Sequence, residues 1–154
     1  MKQIGGYHMG LEAAVCIAES LQIDIGEPTE FNKQHMEWPI NDWLSDHGML
    51  HVKAAFLEWP RGEGRRPGMF FLTKSRQVPY AQPVDDLAEE PNDVKVKDWL
   101  KQNGAGDVEW LSLLDCYNIT LLGAEPKRTG TKFKQYATEE EFAKAMGLHL
   151  PDGL

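Results

Sequence analysis

The chain has 154 residues, of which 42% are hydrophobic, and its formal net charge at pH 7 is −8. This length and apolar content suffice for a single domain with its own buried core, which we expect over residues 1–154. The acidic excess argues against a general nucleic-acid binder, because the phosphate backbone is bound by basic side chains.

Positive charge is concentrated in two stretches of this acidic chain. Residues 1–49 carry 2 basic and 8 acidic side chains, and residues 77–125 carry 3 and 10. By contrast, residues 50–76 carry 6 basic and 2 acidic side chains, and residues 126–154 carry 5 and 4. The sequence therefore predicts separate acidic and basic surfaces rather than an even mixture.

Neither a membrane span nor a signal peptide is recognisable. No apolar run approaches the roughly 20 residues that a membrane helix needs, and the first residues lack a basic start followed by a continuous apolar stretch. We therefore expect a cytoplasmic protein with no membrane partner. The two cysteines, Cys16 and Cys116, lie in apolar contexts outside any CxxC pair, which predicts buried free thiols.

The N-terminal stretch is predicted to start loosely and then form a helix. A flexible start is expected near residues 1–8, where Gly5 and Gly6 lie. Apolar residues then recur at the i, i+3, i+4 spacing of an amphipathic helix over residues 11–21.

A second helical stretch is predicted to begin at Thr29. It contains Pro39, which has no backbone donor and clashes with the preceding helical turn. We therefore expect a break near Trp38, followed by a shorter helix over residues 40–47.

The stretch from residue 50 to residue 76 predicts a β-hairpin. Two apolar runs rich in strand-compatible residues flank a loop of glycine, proline and arginine, the residues that turns require and tolerate. The loop carries three arginines, Arg61, Arg65 and Arg66.

The remaining chain is predicted to alternate between loop, helix and strand. A stretch rich in proline and acidic residues predicts a surface loop near residues 77–92, and Asn92 or Asp93 can cap the helix that follows. Period-two apolar residues predict one or two buried strands over residues 108–121. A short strand is expected after a turn at residues 127–131, then a helix from Thr138, and a loose end near 148–154.

These elements predict an α+β domain. We expect an antiparallel sheet of four or five strands, built from the hairpin and the later strands. Three or four helices are expected to pack mainly on one face of that sheet.

Two basic turns are candidates for anion binding. The guanidinium group presents a planar fork that fits phosphate or carboxylate, and glycine lets backbone donors approach the same anion. Alternatively, these side chains only keep the turns soluble and pair with nearby acids. The candidate ligand-binding residues are Arg61, Arg65, Arg66, Lys127, Arg128 and Lys132.

A cluster of acidic and histidine side chains lies between residues 42 and 51. Asp46, His47 and His51 are candidate acid-base groups, and two histidines four residues apart can chelate a metal on one helical face. Gly48 is expected to end the helix between them, so we predict no metal site. No recognised nucleotide-binding or hydrolase motif is present, and we predict no cofactor.

Tryptophan supplies the last candidate feature. The chain has five tryptophans, a residue type favoured in cores and at interface hot spots. Trp38 and Trp59 each lie between glutamate and proline at the end of a segment, which favours partial exposure and a partner surface.

Two functional hypotheses follow. The leading one is a non-catalytic binding protein, such as an inhibitor, an immunity-type protein or an accessory factor, with a basic protein partner. The alternative is a small enzyme or sensor that binds a phosphorylated ligand or nucleotide through the arginine-rich hairpin loop.

Overall fold

The computed structural model describes residues 2–58, 66–79, 84–115 and 127–128. Its elements, in chain order, are β1 (Lys2–Gly10), α1 (Leu11–Ser20), α2 (Glu30–Gln34), α3 (Glu37–Asp46), β2 (Lys53–Phe56), β3 (Gly68–Gln77), α4 (Pro91–Gln102), β4 (Glu109–Asp115) and β5 (Lys127–Arg128). The predicted α+β class and the antiparallel sheet are both confirmed.

The strands form one sheet in the order β2-β3-β1-β4-β5, with every neighbouring pair antiparallel. The predicted hairpin is present, since β2 pairs with β3 in a register that sets Lys53 opposite Leu72 and Phe56 opposite Met69. The loop tip at residues 59–65 lies outside the described residues. Within the described sheet, β2 is an edge strand.

The stretch predicted to be a flexible start, near residues 1–8, lies over its described residues in a strand, β1. β1 is the central strand and pairs with β3 on one side and β4 on the other. Gly5 and Gly6 allow this close contact: a Cβ on Gly5 would lie 2.9 Å from the Trp110 ring, and one on Gly6 would overlap the carbonyl oxygen of Phe71. The glycines are required by close packing rather than by chain mobility.

The buried side chains form one cluster on each face of the sheet. The helix-facing cluster contains Tyr7, Met69 and Phe71 from the strands, together with apolar side chains of α1, α3 and α4. The opposite cluster contains strand and loop residues, namely Ile4, Leu57, Phe70, Leu111 and Leu113. Among the described residues, the helices therefore pack on one face, as predicted.

Helix α1 follows its apolar periodicity. Leu11, Ala14, Val15 and Ala18 are buried against the sheet. Cys16 is exposed, which corrects the prediction of a buried thiol. Cys16 lies outside the apolar stripe that α1 packs on the sheet. The apolar residues next to it in sequence therefore do not predict its burial. Cys116 lies outside the described residues.

The break between α2 and α3 comes earlier than Pro39 predicts. The side chain of Thr29 caps α2 by accepting a hydrogen bond from the Asn32 backbone, as expected for a helix start. Helix α3 then begins at Glu37 and includes Trp38 and Pro39 in its first turn. Proline is tolerated there because the first N–H groups of a helix have no intrahelical partner.

The acidic segment at residues 84–90 has no regular secondary structure but is bonded to the sheet. The Ser112 hydroxyl accepts a hydrogen bond from the Leu87 N–H at 2.8 Å, and the Trp110 indole donates to the Leu87 carbonyl at 2.9 Å. The segment leads into α4, whose N-cap is Glu90 rather than Asn92 or Asp93. None of the helices in the described ranges combines the length and apolar character needed to cross a membrane.

Within the predicted strand region at residues 108–121, the structure has strand β4. Leu111, Leu113 and Leu114 are fully buried there. Leu111 and Leu113 pack in the cluster opposite the helices, and Ser112 is bonded to the 84–90 segment, so both faces of β4 are covered. The elements predicted between residues 116 and 154 lie outside the described residues, except at Lys127–Arg128, where a turn was predicted and the structure has strand β5, paired with β4.

Candidate functional site

A groove with a volume of about 890 Å³ lies between α3 and β2. One wall is the α3 surface that carries Trp38, Asn41 and Ser45, which recur at helical spacing. The other wall is the β2 backbone and the segment before it, including Leu50 and Val52. The groove therefore runs along the edge of the sheet.

The groove exposes large apolar side chains. Trp38 is 73% exposed and Leu50 is 71% exposed. The α3 helix buries Ile40 and Leu44 against the core, which directs the face that carries Trp38 outward. Phe31, which is 69% exposed, stacks on His35 at the end of the groove. Exposed apolar side chains that line one groove, as Trp38 and Leu50 do, mark an interaction site more often than isolated exposed residues do.

The edge of β2 is covered at one position by a side-chain amide. Asn41 Nδ2 donates a hydrogen bond to the Ala54 carbonyl at 2.8 Å, and Asn41 Oδ1 accepts one from the Ala54 N–H at 2.7 Å. A neighbouring strand would make the same two bonds. The groove thus lies beside backbone groups that can pair with a peptide.

A carboxylate oxygen in the groove wall has no partner among the described residues. Oε2 of Glu37 is buried, and it accepts no hydrogen bond from the described part of the chain. A buried acceptor of this kind is stabilised when a donor reaches it. Glu37 therefore contributes a buried acceptor to the groove wall that has no partner among the described residues.

The helices beside the groove are acidic. Together, α2 and α3 carry four carboxylates, Glu30, Glu37, Asp42 and Asp46, and one lysine, Lys33. The charge of Lys33 is already matched, because its ammonium lies 2.7 Å from Glu12 Oε1 and 3.8 Å from Glu30 Oε1. Lys53, on β2, is the cation in the groove wall among the described residues.

The predicted acid-base residues lie at the end of α3 and are not assembled into a catalytic cluster. The His47 ring stacks on Trp43 at 3.9 Å between ring centroids, and its Nδ1 lies 2.8 Å from the Trp43 carbonyl oxygen. Asp46 and His51 are exposed. No group of three or more metal-ligating side chains occurs within the described ranges. The His47 contacts are those of a residue that ends a helix.

Half of the six predicted anion-binding residues lie outside the described residues. Arg61, Arg65 and Lys132 are among those not described, and Arg66 is exposed just before β3. Lys127 and Arg128 form β5 and pair with Leu114 and Leu113. β5 meets β4 near the start of β1, whereas β3 begins beside the end of β1, about 20 Å away along the strands. The anion-binding role stays a prediction.

Of the two tryptophans predicted to form a partner surface, the structure describes one. Trp38 lies in the groove wall with most of its surface exposed, whereas Trp59 is outside the described residues. The sequence did not single out Glu37, Asn41 or Leu50. Nothing in the local sequence marks Asn41, because its role depends on β2 lying alongside α3.

A polar network beneath the 84–90 segment is the other concentration of titratable groups. The buried Tyr7 hydroxyl donates to Glu89 Oε2 at 2.8 Å, and Lys74 Nζ lies 2.6 Å from Asp93 Oδ2 and 3.1 Å from Glu90 Oε1. Thr73 also donates to Asp93, at 2.8 Å. Burial raises the pKa of Tyr7, and Glu89 raises it further.

The same contacts hold the lysine and aspartate of this network in their charged forms. Burial alone would lower the pKa of Lys74, but its bonds to Asp93 and Glu90 outweigh that effect and raise it. Burial alone would raise the pKa of Asp93, but its bonds from Lys74, the Glu90 N–H and Thr73 lower it. Since each group already has an internal partner, we assign this network to the attachment of α4.

A second cavity, of about 320 Å³, adjoins the groove and shares Leu50 and Lys53 with it. Basic side chains in its wall are Lys2, His51, Lys53 and Lys74. The Lys74 charge is matched by Asp93 and Glu90, as described above. This cavity therefore offers less free positive charge than its residue types imply.

Comparison of the chain with protein-family models, with curated proteins and with solved structures gives no match. We therefore infer a function from the groove itself.

Proposed function

We propose that this protein is a non-catalytic binding protein that recognises another protein through the groove between α3 and β2. The observation that carries the proposal is the exposure of Trp38 and Leu50 in the wall of that groove. Tryptophan that is exposed in a free protein and buried on association is a frequent interface hot spot. An inhibitor or accessory factor would act in this way.

The acidic charge of α3 supports a basic partner, although within the groove lining itself Lys53 offsets Glu37. Three carboxylates of α3, Glu37, Asp42 and Asp46, lie on the helix that forms one wall. Complementary charge raises the rate of association and makes it sensitive to salt. We therefore expect the partner surface to carry arginine or lysine around an apolar centre.

The test compares two variants of similar chemistry. A partner captured by the wild-type protein is purified and titrated into wild type, Trp38→Ala and Val94→Ala by calorimetry. Val94 is a matched control, since it is an exposed apolar residue on α4 that does not line the groove. We expect Trp38→Ala to weaken binding at least tenfold and Val94→Ala to leave it within twofold.

Stability and salt dependence complete the experiment. Trp38→Ala should change the free energy of unfolding by less than about 0.5 kcal/mol, because the side chain is mostly exposed. The affinity of the wild type should fall as salt rises from 50 to 500 mM. A partner that binds Trp38→Ala as tightly as wild type would contradict the proposal.

A further inference from the structure

We infer that the groove binds an extended basic segment of the partner, which joins the sheet as an additional strand beside β2. This inference rests on the proposed function and specifies how the same groove would recognise a protein. Strand addition to an exposed sheet edge is a common mode of peptide recognition, in which main-chain bonds give affinity and side-chain contacts give specificity.

The direction of the β2 backbone groups supports strand addition. The Leu57 N–H donates to the Gly68 carbonyl at 3.0 Å, so the polar groups of Leu57 point toward β3. In an antiparallel strand the backbone N–H and C=O groups of successive residues point to opposite sides. The N–H and C=O groups of Ala54 and Phe56 therefore point toward the open edge. The Asn41 side chain is hydrogen-bonded to the N–H and C=O of Ala54. No described residue is hydrogen-bonded to the outward N–H and C=O of Phe56.

Asn41 stands in for one residue of a strand. Its amide makes one donor and one acceptor contact with Ala54, at 2.8 and 2.7 Å. A peptide backbone presents the same donor and acceptor, so an incoming strand can replace Asn41 at Ala54 and continue to Phe56. Asn41 then keeps the edge satisfied in the free protein and competes weakly with the partner.

The groove wall defines the side chains of the incoming segment. Side chains of an extended segment alternate in direction, so every second one faces α3. Trp38 and Leu50 offer exposed apolar contact, and Oε2 of Glu37, which is buried in the free protein, can accept a hydrogen bond once the groove wall opens to the segment. Asp42 and Asp46 add acidic charge on α3 outside the groove lining, so we expect a segment in which arginine or lysine accompanies apolar residues.

The probe is a phage-displayed library of random twelve-residue peptides, selected on the wild-type protein and counter-selected on Trp38→Ala. Enriched peptides are synthesised and titrated into wild type, Glu37→Gln, Asn41→Ala and Val94→Ala. We expect enrichment in arginine and lysine, binding about tenfold weaker to Glu37→Gln, and unchanged binding to Val94→Ala. Asn41→Ala should bind at least as tightly as wild type, because the competing amide is gone.

Two measurements on the wild-type complex keep the inference testable if Asn41→Ala does not fold. Strand addition should slow hydrogen exchange at the Ala54 and Phe56 amides, and the bound, isotope-labelled peptide should show the Cα and Cβ chemical shifts of extended chain. A bound peptide with helical shifts and no added protection at Phe56 would overturn strand addition but leave groove binding in place.

A further outcome is that the selection enriches no peptide. Selection that yields no peptide dependent on Trp38 would overturn the inference that an extended segment is recognised. The proposed function would then be decided separately by the titration of the captured, intact partner into wild type and Trp38→Ala. A partner that loses affinity with Trp38→Ala in that titration would show that the groove binds a folded surface instead.

Discussion

Asn41 and Ala54 form a reciprocal pair of hydrogen bonds between the side chain of α3 and the backbone of the edge strand β2. The pair attaches α3 to the sheet at the point where the groove opens. It also satisfies an outward-facing N–H and C=O that an edge strand would otherwise present to solvent or to another chain.

Replacement of Asn41 by alanine should destabilise the fold moderately. Two backbone groups of the half-buried edge lose their partner, which we expect to lower the free energy of unfolding by about 1–2 kcal/mol. Hydrogen exchange at the Ala54 amide should accelerate. Ser45→Ala, on the same helix and the same groove wall, is the control and should change stability by less than about 0.5 kcal/mol.

Gly6→Ala should be far more damaging than its size suggests. The new methyl group would overlap the Phe71 carbonyl and lie 2.9 Å from the Leu72 Cα, so the central strands must separate. We expect a loss of at least about 3 kcal/mol in chemical denaturation. Gly10→Ala is the matched control: no atom beyond its chain neighbours lies within 4 Å of its Cβ position. Since Gly10 is the N-cap of α1 and alanine is a poorer N-cap than glycine, a cost below about 1 kcal/mol is expected. Equal stability of the two variants would refute the close-packing account of Gly6.

His8 should make stability depend on pH near neutrality. Burial lowers the pKa of His8 below 6.5, although the Leu57 carbonyl and Glu109 work in the opposite direction. In the folded protein, Nε2 lies 3.0 Å from the Leu57 carbonyl oxygen, a contact that a neutral ring makes when Nε2 carries the proton. The unfolded state therefore binds the proton more readily, and stability should fall as pH drops through about 6.5.

The measurement for His8 is an NMR titration of its ring proton together with denaturation at several pH values. A midpoint below 6.5 is expected. His8→Gln should remove the part of the stability loss that occurs between pH 7 and pH 5. A midpoint above 6.5 would show that the Leu57 and Glu109 contacts dominate over burial.

Local sequence patterns predicted the elements whose periodicity is set within the element itself. The apolar spacing of α1 and the two arms of the hairpin are examples, because each is determined by neighbours within a few residues or across one turn. The central strand β1 was missed, since Gly5 and Gly6 indicate mobility when read alone. Their requirement arises from Phe71 and Trp110, which are distant in the chain and adjacent in the sheet.

The same distinction applies to the groove. The exposure of Trp38 could be predicted from its position at the start of a segment beside proline. The roles of Glu37 and Asn41 could not, because they follow from β2, which reaches them only when the sheet is assembled. The prediction of a break at Pro39 assumed that this residue lies inside a helix. Proline disrupts the interior of a helix but is tolerated in its first turn, which is where Pro39 lies.

The Lys74–Asp93 ion pair should hold α4 on the sheet in a pH-dependent way. Asp93 is 4% exposed and accepts hydrogen bonds from Lys74, Thr73 and the Glu90 N–H. Asp93→Asn leaves the lysine charge without its closest partner, and we expect a loss of about 2 kcal/mol at pH 7. Asp98→Asn, an exposed carboxylate on the same helix, should cost less than about 0.5 kcal/mol.

The pH dependence separates the ion pair from simple packing. Although burial opposes the charge, the three hydrogen bonds lower the pKa of Asp93 below its ordinary 3.8. A lowered carboxyl pKa contributes stability that is fully present above the unfolded value and is lost as pH falls through the folded value. The stability difference between wild type and Asp93→Asn should therefore be constant from pH 7 to about pH 5 and shrink below about pH 4. A difference that persists undiminished at pH 2 would mean that α4 is attached by its apolar contacts, and that the carboxylate charge contributes little.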